Sequence, residues 1–307
     1  MRADKIAVVG CGVVGSSWAL VFTRAGYDVT MWDASPAAAE AACSFIEKAF
    51  SGEPADPSRK RGAVTVSATL EDALAQAFYV QESVSERVEI KRELYARMDA
   101  IAAPGITLAS STSGLPASAF TQGLSGAARC LVVHPINPPH LIPLVEIVPS
   151  PSTDPAVVES SAALMRRVGQ APIRLNREVN GFVVNRLQSA LLGEAFRLVQ
   201  DSVCSAQDVD KAISEGLGLR WFFMGPFETI DLNAARGIAE YCHNLGPMYH
   251  GLAKEQADPR VWDEDLVAQI ERERRTLVPE DQLPQRRQWR DRVLKAVVEA
   301  KRTILRG

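Results

Sequence analysis

The chain has 307 residues, of which 47% are hydrophobic and 23% charged. That is room for roughly two domains of ~150 residues, and the composition excludes wholesale disorder. A net charge of -3 leaves no basic footprint for nucleic acid or an anionic membrane surface, and no apolar run approaches the ~20 residues of a membrane span. The five cysteines, Cys11, Cys43, Cys130, Cys204 and Cys242, are scattered and nowhere at metal-ligand spacing. They read as reduced thiols of a soluble cytoplasmic protein with no metal site.

In chain order, residues 5–10 read as a buried strand, and a helix follows through Arg24 until Gly26 ends it. Residues 27–32 form a second strand. An alanine-rich helix then runs from Ser35, the N-cap, with Pro36 at its first position, to about Phe50. The Gly-, Pro- and charge-dense stretch from Ser51 to Gly62 predicts a solvent loop. Residues 63–67, 78–81, 106–110 and 130–133 are further strands, with 86–102 helical between two of them. Such alternation predicts an α/β fold with a doubly wound parallel sheet. Residues 144–148 follow the previous strand after a proline-rich connection too short for a crossover helix, so they should return antiparallel. Residues 154–168 are helical and 171–175 a last strand. Beyond Asn180 the pattern is helical throughout: 182–201, a helix capped at Ser205, others after Pro226 and near Tyr241, and a highly charged end. The expected division is residues 1–178, carrying the sheet, and an all-helical second domain, 179–307.

Gly10-Cys11-Gly12-Val13-Val14-Gly15 is a GxGxxG turn between the first strand and first helix. Its glycines permit a tight turn and close backbone approach to a pyrophosphate, and the helix N-terminus offers free N–H groups to the phosphates. The second strand ends in Asp33, placed to accept hydrogen bonds from a ribose 2′-OH. The same carboxylate would repel a 2′-phosphate, and no Arg or Lys follows until Lys48, so a Rossmann-like site for NAD is expected over NADP. FAD uses the same fingerprint and stays open as an alternative.

The chain has four histidines, and His134 sits just past an apolar strand. Chemistry in open α/β sheets gathers at the carboxyl ends of strands. Glu146 lies inside the returning strand among apolar residues, where an acid costs several kcal/mol unless paired. The turn can bring it beside His134. Such a pair fixes one imidazole tautomer and leaves the other nitrogen as a base, although a purely structural pair would show the same residues.

These residues carry a resemblance. HPINPPHLIPLVEIVP, NGFVVNRL and ASSTSGL are similar to runs of the 3-hydroxyacyl-CoA dehydrogenase family, and most of all to its lambda-crystallin and L-gulonate 3-dehydrogenase branch. Gly216 to Thr229 (GLGLRWFFMGPFET) and Arg286 to Asp291 (RRQWRD) extend the likeness over nearly the whole chain. The resemblance implies that His134 is the catalytic base and Glu146 its partner, and that Ser113 hydrogen-bonds the substrate hydroxyl. It implies further that Asn137 and Asn185 line the site and that Glu86 and Lys91 lie near the nicotinamide end of the NAD. It also implies a helical domain that closes over the substrate and makes a homodimer.

In the acyl-CoA branch a longer basic hairpin follows the second strand. Here that segment is short, with one basic cluster, Arg59-Lys60-Arg61. A small L-3-hydroxy acid or sugar acid is therefore expected as substrate, with an acyl-CoA thioester as the alternative and a structural, crystallin-like role as a reading of another class. Arg220, amid glycines and aromatic residues, is suited to bind a substrate carboxylate. Its other reading is a helix cap.

Overall fold

The computed structural model describes residues 5–51 and 60–305. Strands β1 (Lys5–Val9), β2 (Asp28–Trp32), β3 (Val64–Val66), β4 (Ala77–Glu82), β5 (Thr107–Ser110), β6 (Cys130–Pro135), β7 (Leu144–Pro149) and β8 (Ala171–Arg174) form one sheet in the order β3-β2-β1-β4-β5-β6-β7-β8. Neighbours are parallel except β6 and β7, which pair antiparallel. The chain winds outward from β1 to β3, then returns to lay β4 on the other side of β1. The carboxyl ends of β1 and β4 therefore meet at the switch point, where such sheets bind ligands.

Alternation along each strand splits the core between two faces. Ile6, Val8, Leu131, Val133 and Ile147 pack with α1 (Val13–Arg24), α2 (Pro36–Ser51) and α6 (Pro155–Arg167). Ala7, Val9, Val80, Val132 and Val148 pack with α3 (Leu70–Leu74), α4 (Val88–Ile101) and α5 (Ser118–Thr121). In α1, Trp18 stacks on Phe22 at 5.3 Å between ring centres, and both are fully buried.

The expected strands and the antiparallel return are all present, and α3 is an addition. Thr69 caps it, accepting from the Asp72 amide at 3.1 Å, and it buries Leu70 and Leu74. The expected loop from Ser51 to Gly62 falls mostly outside the described residues, Arg59 with it. Of that basic cluster Arg61 lies over the Phe50 ring, 4.2 Å from its centre.

The first compact unit runs to Arg186, past the expected boundary at 178. The reason is local: Phe182 is fully buried in the second face of the sheet core, and the next two amides bind a carboxylate in β7.

The second unit, residues 187–307, is helical. It takes up α7 (Val184–Gln200), then contains α8 (Ala206–Lys211), a π-helical turn (Ala212–Leu217), α9 (Gly218–Trp221), α10 (Pro226–Leu232), α11 (Ile238–Glu255), α12 (Glu264–Leu277) and α13 (Leu283–Ile304). Ser205 caps α8 as expected, through the Asp208 amide at 3.1 Å. Its buried core is small, Val199, Ala206 and Leu266, with Phe196, Val209 and Ile270 packed around them. Among the described residues no helix is long and apolar enough to cross a membrane.

Candidate active site

At the sheet's switch point Gly10 turns the chain with φ +92°, a conformation that L side chains rarely adopt. A Cβ on Gly15 would lie 1.8 Å from the Gly10 carbonyl oxygen, so only glycine lets α1 start this close to the turn. Gly12 is different: a Cβ there would meet nothing within 4 Å, because the residue faces open space. The first turn of α1 holds no acidic residue and its N-cap no side-chain hydrogen bond, and Val13 beside it is 72% exposed. Those features leave free amides and an uncontested dipole for an anion.

Asp33 closes the other side. Its Oδ2 accepts from the Cys11 amide at 2.7 Å and its Oδ1 from the Ser35 amide at 2.8 Å. The glycine turn and the end of β2 are thereby tied to one carboxylate. Gly10, Gly12, Asp33, Ala34, Ser83 and Val84 are among the residues lining a cleft of about 520 Å³. Burial, then the Asp33 carboxylate, pushes the Cys11 thiol up to about 12, so it stays protonated and unreactive within the turn. A dinucleotide fits these residues: open space at Gly12, free helix amides and a fixed acceptor.

In the antiparallel pair β6–β7, His134 stands directly opposite Glu146, and directly opposed side chains lie on one face of the sheet. His134 Nδ1 is 2.7 Å from Glu146 Oε2, and the carboxylate is fully buried. Its other oxygen accepts from the amides of Val183 at 2.8 Å and Val184 at 3.1 Å. Burial alone would raise this carboxyl's pKa. The hydrogen bonds from His134, Val183 and Val184 outweigh it and hold the group below the usual carboxylate value. An ionised carboxylate only accepts, so the imidazole proton sits on Nδ1 and the Nε2 lone pair is free to take another. Among the described residues Nε2 has no hydrogen-bond partner, and Phe182 walls the ring at 5.4 Å.

The Ser111-Thr112-Ser113-Gly114 loop, at the end of β5, is held by Glu86. Its Oε1 accepts from Thr112 Oγ1 and from the amides of Ser113 at 2.9 Å and Gly114 at 3.2 Å. Asn185 Nδ2 donates to the Ser113 carbonyl at 2.6 Å, so these two expected substrate residues are joined, and the Ser113 side chain is exposed. Lys91 is fully buried. Its Nζ lies 2.7 Å from Glu82 Oε1 and 3.8 Å from Glu86 Oε2, and neither Lys91 nor Glu86 is among the residues lining the cleft. Asn137 is exposed in the β6–β7 connection.

Residues 5–179 match the family model described as 3-hydroxyacyl-CoA dehydrogenase, NAD binding domain, and 181–277 its C-terminal domain. The chain belongs to the 3-hydroxyacyl-CoA dehydrogenase family. It is an NAD-dependent dehydrogenase acting on a CH–OH group. A lambda-crystallin homolog from Bos taurus is 39% identical over 310 residues, covering 97% of this chain and 96% of that protein. An L-carnitine dehydrogenase from Streptomyces griseus is 42% identical over 251 residues, 79% of this chain and 74% of that one. Among solved structures, an NAD+-dependent dismutase, 5-formyl-3-hydroxy-2-methylpyridine 4-carboxylic acid 5-dehydrogenase, superposes with a TM-score of 0.81 at 28% identity, covering 97% of this chain and 98% of that one.

The buried polar residues of β4, which no sequence motif marks, also belong to the site. Gln81 is fully buried; its Nε2 donates to Ser111 Oγ at 2.7 Å and to the Val133 carbonyl at 3.3 Å, and its Oε1 accepts from Tyr79 OH at 2.8 Å. One amide thus links the Ser113 loop to the strand that carries His134. Glu82, equally buried, accepts from Ser110 Oγ at 2.6 Å and from the Val84 amide at 2.7 Å besides Lys91. A Gln-Glu pair ending an apolar strand was the available signal, the same one that exposed Glu146. In the helical unit Arg220 is exposed; its carbonyl accepts from the Phe223 and Met224 amides at 3.3 and 3.1 Å, while its guanidinium makes no hydrogen bond or ion pair among the described residues and so caps no helix end there.

Two glycine variants separate binding from folding. Gly12→Ala should keep its thermal midpoint, having no neighbour to strike, yet lose NAD affinity by an order of magnitude or more in calorimetric titration. Gly15→Ala should instead lose about 2 kcal/mol or more of unfolding free energy in urea, from overpacking against Gly10.

Proposed function

We propose that the protein oxidises the 3-hydroxyl of a small L-3-hydroxy acid or sugar acid. What carries the reading is the buried His134–Glu146 pair with its free Nε2, joined through Gln81 to the loop of Ser113. NAD held at Gly10, Gly12 and Asp33 would supply the acceptor for the hydride leaving carbon 3. His134 Nε2 takes the hydroxyl proton as the C–O bond becomes a carbonyl, and returns it in the reverse direction. Glu146 holds the ring and stabilises the imidazolium. Ser113 and Asn185 hold the reacting oxygen, a role that contributes ~3 kcal/mol per donor at such sites.

A small acid is favoured over a thioester by the short segment between β2 and β3 and by the likeness to an L-carnitine dehydrogenase, since carnitine is itself a small 3-hydroxy acid. The site residues are intact, which favours an enzyme over a purely structural protein. The five unbonded cysteines suit a reducing cytoplasm.

The helical unit supports a homodimer. Three buried hydrophobic residues make a poor core for its length, while Leu187, Leu219, Phe227 and Leu232 are 62–74% exposed. A self-complementary surface of a second copy would cover them. Light scattering should give twice the chain mass, and a monomer at micromolar concentration would rule this out.

With NAD, gulonate, 3-hydroxybutyrate and carnitine should be compared with 3-hydroxybutyryl-CoA by NADH appearance. Turnover of the thioester alone would overturn the small-acid reading. His134→Gln should lower kcat by ~10²–10⁴ with NAD affinity unchanged, and Glu146→Gln should lower it less. A His134→Gln enzyme with wild-type kcat would remove the base from His134.

Arg220, whose guanidinium makes no hydrogen bond or ion pair among the described residues, is proposed to bind the substrate carboxylate, in cis or across the dimer. Arg220→Met should raise KM for the free acid by the equivalent of ~2–5 kcal/mol and barely alter it for the corresponding amide. Equal changes for both substrates would reject that role.

A further inference from the structure

The cleft beyond Asp33 has a composition that neither the phosphates nor the ribose explains. The pyrophosphate belongs at Gly10 and Gly12 and the ribose hydroxyls at Asp33, so the base must lie past Asp33, away from the glycine turn. There the walls are Trp32, Ala34 and Ala38 on one side and Ile90, Leu94 and Arg97, successive turns of one face of α4, on the other. Among these largely apolar residues the charged groups are Arg97, the single guanidinium in the lining, and Glu93 one turn before it on α4.

That guanidinium is held in place. Its Nη2 donates to both carboxylate oxygens of Glu71, in the first turn of α3, at 2.9 and 3.1 Å, and its Cζ lies 5.8 Å from the centre of the Trp32 ring. Two consequences follow from the pairing. The group is oriented, so its flat face is presented at little further cost in side-chain freedom. Its charge is also matched by a carboxylate, so the cleft does not present a bare cation to a phosphate. The pair is half-exposed, 49% on each side, which leaves it within reach of a ligand.

We propose that Arg97 is a specificity residue for the adenine end of the cofactor. Its guanidinium, steadied against Trp32, forms a stacking surface for the purine, and Glu71 withholds its charge from a 2′-phosphate. Arginine planes and aromatic rings both offer sequence-tolerant platforms to nucleobases. In this arrangement carboxylates discriminate against NADP by different means: Asp33, and Glu93 in the same lining, by direct repulsion, and Glu71 by neutralising the one cation that would otherwise attract the extra phosphate. The inference rests on the dinucleotide reading of the cleft and adds a residue to it.

The test is calorimetric titration of the full-length protein with ADP-ribose and with its 2′-phosphate, ligands that need no turnover. Wild type should bind ADP-ribose and discriminate against the 2′-phosphate. Arg97→Met should weaken ADP-ribose roughly fivefold, the range of a partly exposed cation–π or stacking contact. Arg97→Lys should weaken it similarly, because lysine keeps the charge but loses the plane. Glu71→Gln keeps an amide oxygen to orient the guanidinium but removes its countercharge, so it should weaken ADP-ribose by no more than about threefold and improve the 2′-phosphate roughly tenfold, the scale of one freed charge pair. Thermal melts of each variant establish that it is folded, and half-exposed Arg97 tolerates the changes.

An Arg97→Met protein with wild-type ADP-ribose affinity would overturn the stacking role, as would Arg97→Lys matching wild type while Arg97→Met does not. A Glu71→Gln protein that gains nothing toward the 2′-phosphate would overturn the charge-withholding role. Failure of the wild type to bind ADP-ribose would overturn the dinucleotide reading itself, a different result from any of these.

Discussion

A carboxylate with no exposed surface has to be satisfied completely, and much of this site follows from how that is done at Glu146. Two of its donors are backbone amides at the start of α7 and the third is the imidazole of His134. Breaking such a buried arrangement by removing one partner typically costs ~3–5 kcal/mol. The carboxylate therefore fixes three things at once: the register of β6 against β7, the point where the chain leaves the sheet for the helices, and the tautomer of the base. Phe182 shows the local consequence. It sits at φ 50°, uncommon for a non-glycine residue, while its ring packs both in the core and against His134.

A second buried layer does for the substrate loop what Glu146 does for the base. Glu82 and Lys91 neutralise each other in the interior, and Ser110 and the Val84 amide satisfy the remaining acceptor capacity. Gln81 then spans three strands, touching Tyr79 in β4, Ser111 beyond β5 and the Val133 carbonyl in β6. A fully paired polar network of this kind is directional, whereas apolar packing is not. It sets the distance between the Ser113 loop and His134 through hydrogen bonds with defined lengths, which is the precision a proton transfer needs.

Much of this was legible from the residues in order. The glycine turn and Asp33 announce a dinucleotide site because each residue type has one geometric reason to be there. An acid inside an apolar strand needs a partner, and the short proline-rich connection allowed only an antiparallel return, so Glu146 had to face β6. Other features were illegible for equally physical reasons. Helix α3 spans a single turn and a half, too short for any periodicity to register, and its one mark is the Thr69 cap. Gln81 looks like the polar half of an alternating strand, and nothing local says that both faces of β4 are covered. Arg97 and Glu71 are far apart in sequence. They meet because the chain returns through α3 to put β4 beside β1, which is knowledge of topology and not of pattern.

The division of labour within the chain follows from where these networks end. The groups assigned to the cofactor, the base, its partner and the reacting oxygen all fall between Gly10 and Asn185, inside the first compact unit. Their geometry is set by hydrogen bonds among themselves. The helical unit holds no member of either buried network, and its own interior is slight. The base, its partner and the Ser113 loop are therefore positioned by hydrogen bonds that all lie within the first unit.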